Sequence, residues 1–175
     1  MEIMEVVPFV GIGKVKLGMT KEECRQALKV TPHNQPKYSI GSINFPESDY
    51  FLDSSIQVSY DTDLGTVEWI GVNDSITFTI LYREIDLFKT PIEEIVERTK
   101  KYGALNTEDE ELGYTFCFPE LGICYWRPAK TEDVDEGLDE VDEDEREYML
   151  QDIERSKYCK QISIFKDGYW DTAAI

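Results

Sequence analysis

The amino-acid sequence predicts an α+β fold, in which an antiparallel sheet has its helices on one face. Three observations favour this class: an alternating apolar segment at 56–60, a turn at 61–65 that leads into a second extended segment, and a helix start of the capping-box type at Thr20. The chain has 175 residues, of which 41% are hydrophobic. This length and apolar content are typical of one domain with its own core, so we expect a single domain over residues 1–175.

The first half of the chain begins with an extended segment, followed by a helix and a hairpin. Pro8 has no amide hydrogen to donate to a ladder, which places the opening segment at a sheet edge. The helix that follows Thr20 stops before the proline-rich stretch 31–50, which is predicted to be mostly loop. Segments 56–60 and 66–72 form the two arms of the hairpin.

The second half of the chain repeats this order. Residues 15–20 and 85–90 share an apolar-x-apolar pattern before a threonine, at an offset of 70 residues. Thr90 opens a second predicted capping box. We therefore expect two helix-plus-hairpins repeats, at about 5–82 and 83–175. Further strands are predicted at 75–82, 113–118, 122–126 and 160–165.

Much of the negative charge lies in one segment, 131–158, which interrupts the second repeat as an acidic insertion. The chain has 36 acidic and 18 basic residues, a formal charge of -18, and 11 of the acidic residues fall between Thr131 and Glu147. A loop from Thr131 and then an acidic amphipathic helix at about 140–156 are predicted, because apolar residues recur there at helical spacing. The apolar stripe consists of Val134, Leu138, Val141, Tyr148, Met149 and Ile153.

The charge and the cysteines restrict the partners and the compartment. The negative field repels phosphate, so neither nucleic acid nor an anionic membrane is expected as a partner, whereas basic proteins are favoured. The N-terminus lacks the basic and apolar regions of a signal peptide. The four cysteines include no CxxC pair, which favours reduced thiols and a cytoplasmic protein. Cys117 and Cys124 can face each other across a hairpin. The sequence does not determine the oligomeric state of the protein.

No group of residues forms a recognisable catalytic or metal-binding motif. His33 is the only histidine, so a nucleophile has no paired base and zinc has no close ligand pairs. Asp133-x-Asp135-x-Gly137 puts glycine at position 5, where an EF-hand loop needs it at position 6. Residues 11–18 contain GxGxxxxG rather than the dinucleotide-binding GxGxxG. We therefore predict a protein that is not an enzyme and that has no metal and no cofactor.

The acidic segment and the aromatic residues beside it form the predicted partner-binding surface. Carboxylates steer a basic partner, and tyrosine and tryptophan side chains are frequent interface anchors. Tyr125 and Trp126 end a predicted strand next to the acidic segment. The predicted binding residues are Asp139, Glu140, Asp142, Glu143, Asp144, Tyr125 and Trp126.

Residues 13–28, with the sequence GKVKLGMTKEECRQAL, resemble the LGMT-x-EE helix opening of the BLIP-like and SmpA structural group. In that group a helical segment precedes antiparallel strands, and the β-lactamase inhibitor itself is a tandem duplication, so the resemblance implies a duplicated α+β unit. SmpA-type proteins are exported lipoproteins, and no envelope role is expected for a chain without an export signal. In style the chain is also similar to the small acidic immunity proteins of bacterial polymorphic toxin systems, which are cytosolic and bind a toxin domain.

These patterns predict a non-enzymatic protein-binding module of the bacterial cytoplasm. The leading hypothesis is an immunity protein that neutralises a basic toxin domain, such as a nuclease. The alternative is a ligand- or cation-binding regulatory domain that uses the sheet and the acidic segment as a cleft.

Overall fold

The structure is a computed structural model that describes residues 2–75, 77–135 and 142–169. Within them the fold is α+β and most neighbouring strands are antiparallel, which confirms the predicted class. The strands are β1 (Glu2–Val7), β2 (Gly11–Ile12), β3 (Val15–Lys16), β4 (His33–Gln35), β5 (Tyr38–Ile40), β6 (Ile43–Phe45), β7 (Ser48–Phe51), β8 (Ile56–Tyr60), β9 (Val67–Asn73), β10 (Phe78–Tyr82), β11 (Ile85–Asp86), β12 (Thr115–Phe118), β13 (Ile123–Trp126) and β14 (Gln161–Phe165). The helices are α1 (Lys21–Leu28), α2 (Ile92–Thr99), α3 (Thr131–Asp135) and α4 (Glu143–Ser156), with a 3-10 turn at Pro119–Leu121.

A five-stranded sheet contains the start of the chain, in the order β11-β10-β1-β2-β3. β1 pairs in parallel with β10 on one side and antiparallel with β2 on the other. The prediction that Pro8 places this segment at a sheet edge is therefore wrong. Pro8 follows Val7, the last residue of β1, so its missing amide hydrogen falls in a turn and removes no bond from the ladder.

The larger sheet has seven strands in the order β12-β13-β14-β9-β8-β7-β4. The predicted hairpin is confirmed as β8 and β9, which pair antiparallel near its centre. Because side chains alternate along each strand, one face carries a row of fully buried residues across six paired strands. The row contains Phe118, Ile123, Ile164, Ile70, Val58 and Asp49. Each buried apolar side chain contributes about 1.5–3 kcal/mol. This face belongs to the core, and α1 and α2 join the same core through Cys24 and Ile95.

Residues 31–50 contain four strands where mostly loop is predicted. β4 pairs with β7, and β5 pairs with β6 in a separate two-stranded sheet, the β5–β6 hairpin. Pro32 precedes the first of these strands, and Pro36 and Pro46 lie between strands rather than within them. The strands are only three or four residues long, which is too short for alternation to be recognised.

The two predicted capping boxes have different outcomes. At α1 the Thr20 hydroxyl accepts from the amide of Glu23 at 3.3 Å, and the Glu23 carboxylate accepts from the Thr20 amide at 2.8 Å, which confirms the box. At α2 the prediction of a capping box on Thr90 is wrong, because no side chain makes a capping hydrogen bond to the start of this helix. Its first residue, Ile92, donates instead to the backbone oxygen of Lys157 at 2.8 Å. The first amide of α2 therefore has its hydrogen-bond acceptor in a segment that is distant in the sequence.

A disulfide joins Cys117 and Cys124, so the prediction of reduced thiols is wrong for this pair. The two residues lie directly opposite each other in β12 and β13, with their Cα atoms 4.1 Å apart. Such closely spaced cross-strand pairs bring two thiols within bonding reach. The predicted approach of these cysteines across a hairpin is confirmed, whereas Cys24 and Cys159 are free and buried.

The acidic segment is helical in its described parts. α3 occupies residues 131–135, so the predicted loop from Thr131 is wrong there. The Thr131 hydroxyl lies 3.1 Å from the hydroxyl of Ser156, which holds α3 against the end of α4. α4 begins and ends inside the range predicted for the acidic helix. Leu138 and Val141 of the predicted stripe lie outside the described residues. The interpretations of this segment as an insertion and of the chain as a duplication stay predictions.

Candidate functional site

The acidic arm, the unit formed by α3 and α4, makes few contacts with the rest of the fold. α4 contains six acidic and two basic residues, and Ser156 is the only one of its described side chains that is buried. Tyr148 is 70% exposed and Leu150 is 49% exposed. The arm therefore presents carboxylates together with an aromatic and an aliphatic side chain, a combination that suits a protein interface.

The start of α4 is fixed by one of its own acidic residues. Asp142 is the N-cap, and its carboxylate accepts from the amide of Glu145 at 3.0 Å. Such a cap contributes about 1 kcal/mol to a helix, and its negative charge suits the positive end of the helix dipole. Asp142 therefore has a structural role in addition to any role in binding.

Arg127 anchors the other end of α4 to the body of the protein. Its side chain is 6% exposed and donates to the backbone oxygen of Ser156 at 3.1 Å and to the carboxylate of Glu93 at 2.7 Å. A third bond runs to the backbone oxygen of Gly113 at 2.7 Å. Because the carbonyl end of a helix attracts a cation, Arg127 fixes the base of the acidic arm against α2 and the loop before β12.

Only three of the five predicted acidic binding residues are among the residues that the structure describes. Asp139 and Glu140 lie outside the described residues. Asp142 and Glu143 are exposed, and Asp144 lies in the first turn of α4. The structure therefore brings the three described positions together at one end of the acidic arm.

Tyr125 and Trp126 lie on opposite faces of β13. Tyr125 is fully buried, and its hydroxyl lies 3.1 Å from the hydroxyl of Thr99 on α2. Its prediction as a binding residue is wrong, because consecutive strand residues face opposite ways and this one faces the core. Trp126 is 39% exposed and stays a predicted anchor.

An uncharged cleft, which no pattern in the sequence predicts, lies on the other face of the seven-stranded sheet. Its volume is about 310 Å³, and none of the described residues that line it is charged. The floor comes from β4, β7 and β8, and the walls come from β9, the β5–β6 hairpin and the residues after β14. The lining consists of Gln35, Tyr38, Phe45, Pro46, Ser48, Tyr50, Gln57, Ser59, Trp69 and Tyr169.

Amides and hydroxyls form the floor of the uncharged cleft. Ser48 and Ser59 lie opposite each other in β7 and β8, with their hydroxyl oxygens 2.8 Å apart. The Gln57 amide donates to the Tyr50 hydroxyl at 3.2 Å. Hydroxyl and amide groups can both donate and accept, so the floor offers hydrogen bonds in either direction.

Aromatic rings form the walls of the uncharged cleft. Tyr38 and Phe45 lie opposite each other in the β5–β6 hairpin and stack with their ring centroids 4.6 Å apart. The indole of Trp69 extends over Gly71, where a Cβ atom would lie 2.2 Å from the ring. Tyr169 lines the cleft from the segment after β14. A few placed polar groups among aromatic side chains are typical of small-molecule sites.

A second cleft, of about 780 Å³, adjoins the uncharged cleft and shares four lining residues with it: Tyr38, Phe45, Pro46 and Tyr169. The charge of Lys166, one of the lining residues, is neutralised within the protein, because Lys166 makes ion pairs with Asp61 and, at 3.1 Å, with Glu68. The Lys166 ammonium and two backbone amides lower the pKa of Asp61 to about 2. This carboxylate therefore stays ionised and paired over the whole physiological range.

Asp49 is a fully buried carboxylate on the core face of the same sheet. Arg25 from α1 donates to it from Nε at 2.8 Å and from Nη2 at 3.0 Å. Asn34 and the Tyr60 hydroxyl donate to it at 2.7 and 2.9 Å. Burial would raise the pKa of Asp49, but these donors together hold it below its usual range. The carboxylate has its partners inside the protein, so it ties α1 to the sheet.

The remaining chemical groups supply no further candidate site. Within the described ranges, no group of three or more His, Cys, Asp or Glu residues is placed to hold a metal ion. Burial raises the pKa of the Cys24 thiol to about 11, so this thiol stays protonated at neutral pH. No helix in the described part of the chain is long and apolar enough to cross a membrane.

No family model, curated protein or solved structure matches the chain. The resemblance of residues 13–28 to the BLIP-like and SmpA group therefore stays a prediction, as does the cytoplasmic location. Function has to be inferred from the arrangement of the side chains.

Proposed function

We propose that this protein is a non-enzymatic protein-binding module that docks a basic partner on the acidic arm, and most concretely an immunity protein that neutralises a cognate toxin domain. The observation that carries the proposal is the exposure of α4, a helix of 14 residues with Ser156 as its one buried side chain among those described. A helix of this length is marginal in water on its own. Contact with another molecule would supply the packing that the body of the protein does not.

The composition of α4 suits a basic partner. Its carboxylates act at a distance, because an opposite field raises association rates by about 10–1,000-fold. Tyr148 and Leu150 act on contact, since a few aromatic and apolar anchors supply most of the binding energy once water is excluded. Arg127 holds the base of the arm, which reduces the entropy lost when the partner binds.

Neutralisation then follows from occlusion of the toxin. A carboxylate-rich helix that lies across the active face blocks the entry of substrate. In a nuclease, the carboxylates would take the places of the substrate phosphates, because the same basic residues attract both. This mechanism requires no reaction by the protein itself.

The test is co-expression with the C-terminal domain of a secreted protein encoded next to this gene, in bacteria that the domain alone kills. We expect the wild-type protein to restore growth and the double variant Tyr148→Ala with Leu150→Ala to restore it less. The matched control is Tyr102→Ala with Leu64→Ala, two residues of the same types that are 48% and 75% exposed elsewhere, and it should protect like the wild type.

Two results would contradict the proposal. The first is a failure of the wild-type protein to protect, together with no detectable complex with that domain in calorimetry. The second is a neighbouring gene set devoted to metabolism, with no secreted protein in it.

A further inference from the structure

We propose that the uncharged cleft binds a neutral saccharide. This site is separate from the acidic arm, and the proposal does not depend on the immunity function. Its main support is the lining: 31% of the residues of the chain are charged, yet none of the described residues that line this cleft is. A ligand buried there would gain no ion pair in return for its lost hydration, so a neutral ligand is favoured.

The hydroxyl groups of a sugar complement the floor of the cleft. Gln35 and Gln57 offer amide donors and carbonyl acceptors, and the hydroxyls of Ser48, Ser59 and Tyr50 offer both. Each sugar hydroxyl is also both a donor and an acceptor, so it can bond to these groups in either direction. Some of these groups bond to one another, but an apolar ligand would displace water from their remaining donors and acceptors without replacing it, which opposes its binding.

The aromatic walls complement the C–H faces of a sugar ring. Aromatic faces carry partial negative charge and attract the weakly positive edges of neighbouring groups. The cleft offers the stacked pair Tyr38 and Phe45, the indole of Trp69 and the ring of Tyr169. Its volume of about 310 Å³ lies within the usual range for small-molecule sites. The adjoining cleft of about 780 Å³ extends it, which favours a linear oligosaccharide over a single ring.

Two other ligand classes fit less well. Three carboxylates and two lysines line the adjoining cleft: Asp61, Asp63, Glu68, Lys37 and Lys166. Lys166 is already paired with Asp61 and Glu68, and the excess of negative charge disfavours an anionic ligand. A peptide that binds by adding a strand needs a free strand edge. The cleft floor is a sheet face instead. Its strands β7 and β8 are paired on both sides, and only the three-residue β4 lies at the edge of the sheet.

The test is an NMR titration of the ¹⁵N-labelled protein with three neutral saccharides, maltotriose, cellotriose and tri-N-acetylchitotriose, at up to millimolar concentrations. We expect at least one of them to shift the indole N–H of Trp69 and the side-chain amides of Gln35 and Gln57 in a saturable manner. The double variant Gln35→Ala with Gln57→Ala should weaken that affinity about tenfold, because two hydrogen-bonding groups are lost. Gln151→Ala, an exposed position on α4, is the matched control and should bind like the wild type.

The titration of the wild-type protein tests the proposal by itself, so the test is valid even when the double variant does not fold. The proposal is wrong when none of the three saccharides shifts these signals, or when the shifts lie on other surfaces. An uncharged peptide, Gly-Ser-Asn-Gly with an acetylated N-terminus and an amidated C-terminus, is titrated in parallel. Shifts of the cleft signals by this peptide and by no saccharide would assign the cleft to a polypeptide and overturn the saccharide proposal.

Discussion

Replacing Arg25 with methionine is expected to lower the free energy of unfolding by about 2 kcal/mol at pH 7. Removing one partner of a buried ion pair costs about 3–5 kcal/mol, because the other charge stays buried without its counterion. The Asp49 side chain is fully buried, but that of Arg25 is 38% exposed, so solvent screens part of this interaction. Asn34 and Tyr60 also continue to donate. The free energy of unfolding of the variant and of the wild type is measured by urea unfolding followed by circular dichroism.

The same substitution predicts a pH dependence of definite sign. In the wild type the pKa of Asp49 is lowered, so its contribution to stability is present above about pH 3.9 and is lost as the pH falls through the lower folded value. Without Arg25, burial raises the pKa of Asp49, and protonation of the carboxyl then stabilises the variant. The difference in stability between the two proteins should therefore be smaller at about pH 4.5 than at pH 7.

Arg98→Met on α2 is the matched control. Arg98 pairs with Glu94 at the surface, where the two side chains are 51% and 46% exposed, and such a pair contributes about 0–1 kcal/mol. The reasoning about Asp49 is refuted if Arg25→Met costs no more than Arg98→Met, or if its cost does not change with pH.

Three further predictions concern the acidic arm, the uncharged cleft and the disulfide. Arg127→Met should lower the free energy of unfolding by about 2 kcal/mol and speed hydrogen exchange at the end of α4, because three hydrogen bonds are lost; unchanged exchange by mass spectrometry would contradict the anchoring role. Gly71→Ala should displace the Trp69 indole at a cost of about 1–3 kcal/mol, and a wild-type near-UV circular dichroism spectrum would show that the ring does not extend over Gly71. Cys117→Ala with Cys124→Ala should cost about 2 kcal/mol under oxidising conditions, as expected for a short closed loop. Dithiothreitol should bring the wild type close to this variant, and an unaffected wild type would argue against the disulfide.

Local signals in the sequence predict the elements that depend on neighbouring residues. The capping box at Thr20 and the hairpin of β8 and β9 lie where the caps and the alternation indicate. The start of α2 could not be predicted in this way, because Ile92 finds its partner in the backbone of Lys157, far along the chain. The strands within 31–50 likewise depend on pairing across the sheet rather than on their own short sequences.

The helix of the acidic arm could be predicted, whereas the uncharged cleft could not. Helical spacing and a run of carboxylates are properties of one continuous segment, and α4 forms inside the range that they indicate. Tyr125 and Trp126 are equivalent as sequence signals, and only the tertiary structure shows that Tyr125 faces the core, where it contacts Thr99, whereas Trp126 is partly exposed. The cleft combines side chains from separate segments. Its one local signal is the polar face of β8, with Gln57 and Ser59, which marks a second face of the sheet outside the core.

The central claim, that a basic partner docks on the acidic arm, is tested most directly by the salt dependence of the association rate in stopped-flow mixing with the toxin domain. One triple variant removes exposed carboxylates of the arm: Glu143→Gln, Glu145→Gln and Glu147→Gln. The control triple variant removes exposed carboxylates elsewhere: Glu22→Gln, Asp53→Asn and Glu84→Gln. Both keep the helix cap on Asp142 and change the net charge equally.

Three unit-charge pairs about 10 Å apart in water, screened by salt, amount to about 0.9 kcal/mol at roughly 10 mM salt and about 0.4 kcal/mol at roughly 150 mM. We therefore predict that the arm variant associates about fivefold more slowly than the wild type at the lower salt concentration and about twofold more slowly at the higher one. The control variant should associate nearly as fast as the wild type at both. Equal rates for the arm variant and the control variant would contradict docking on the acidic arm.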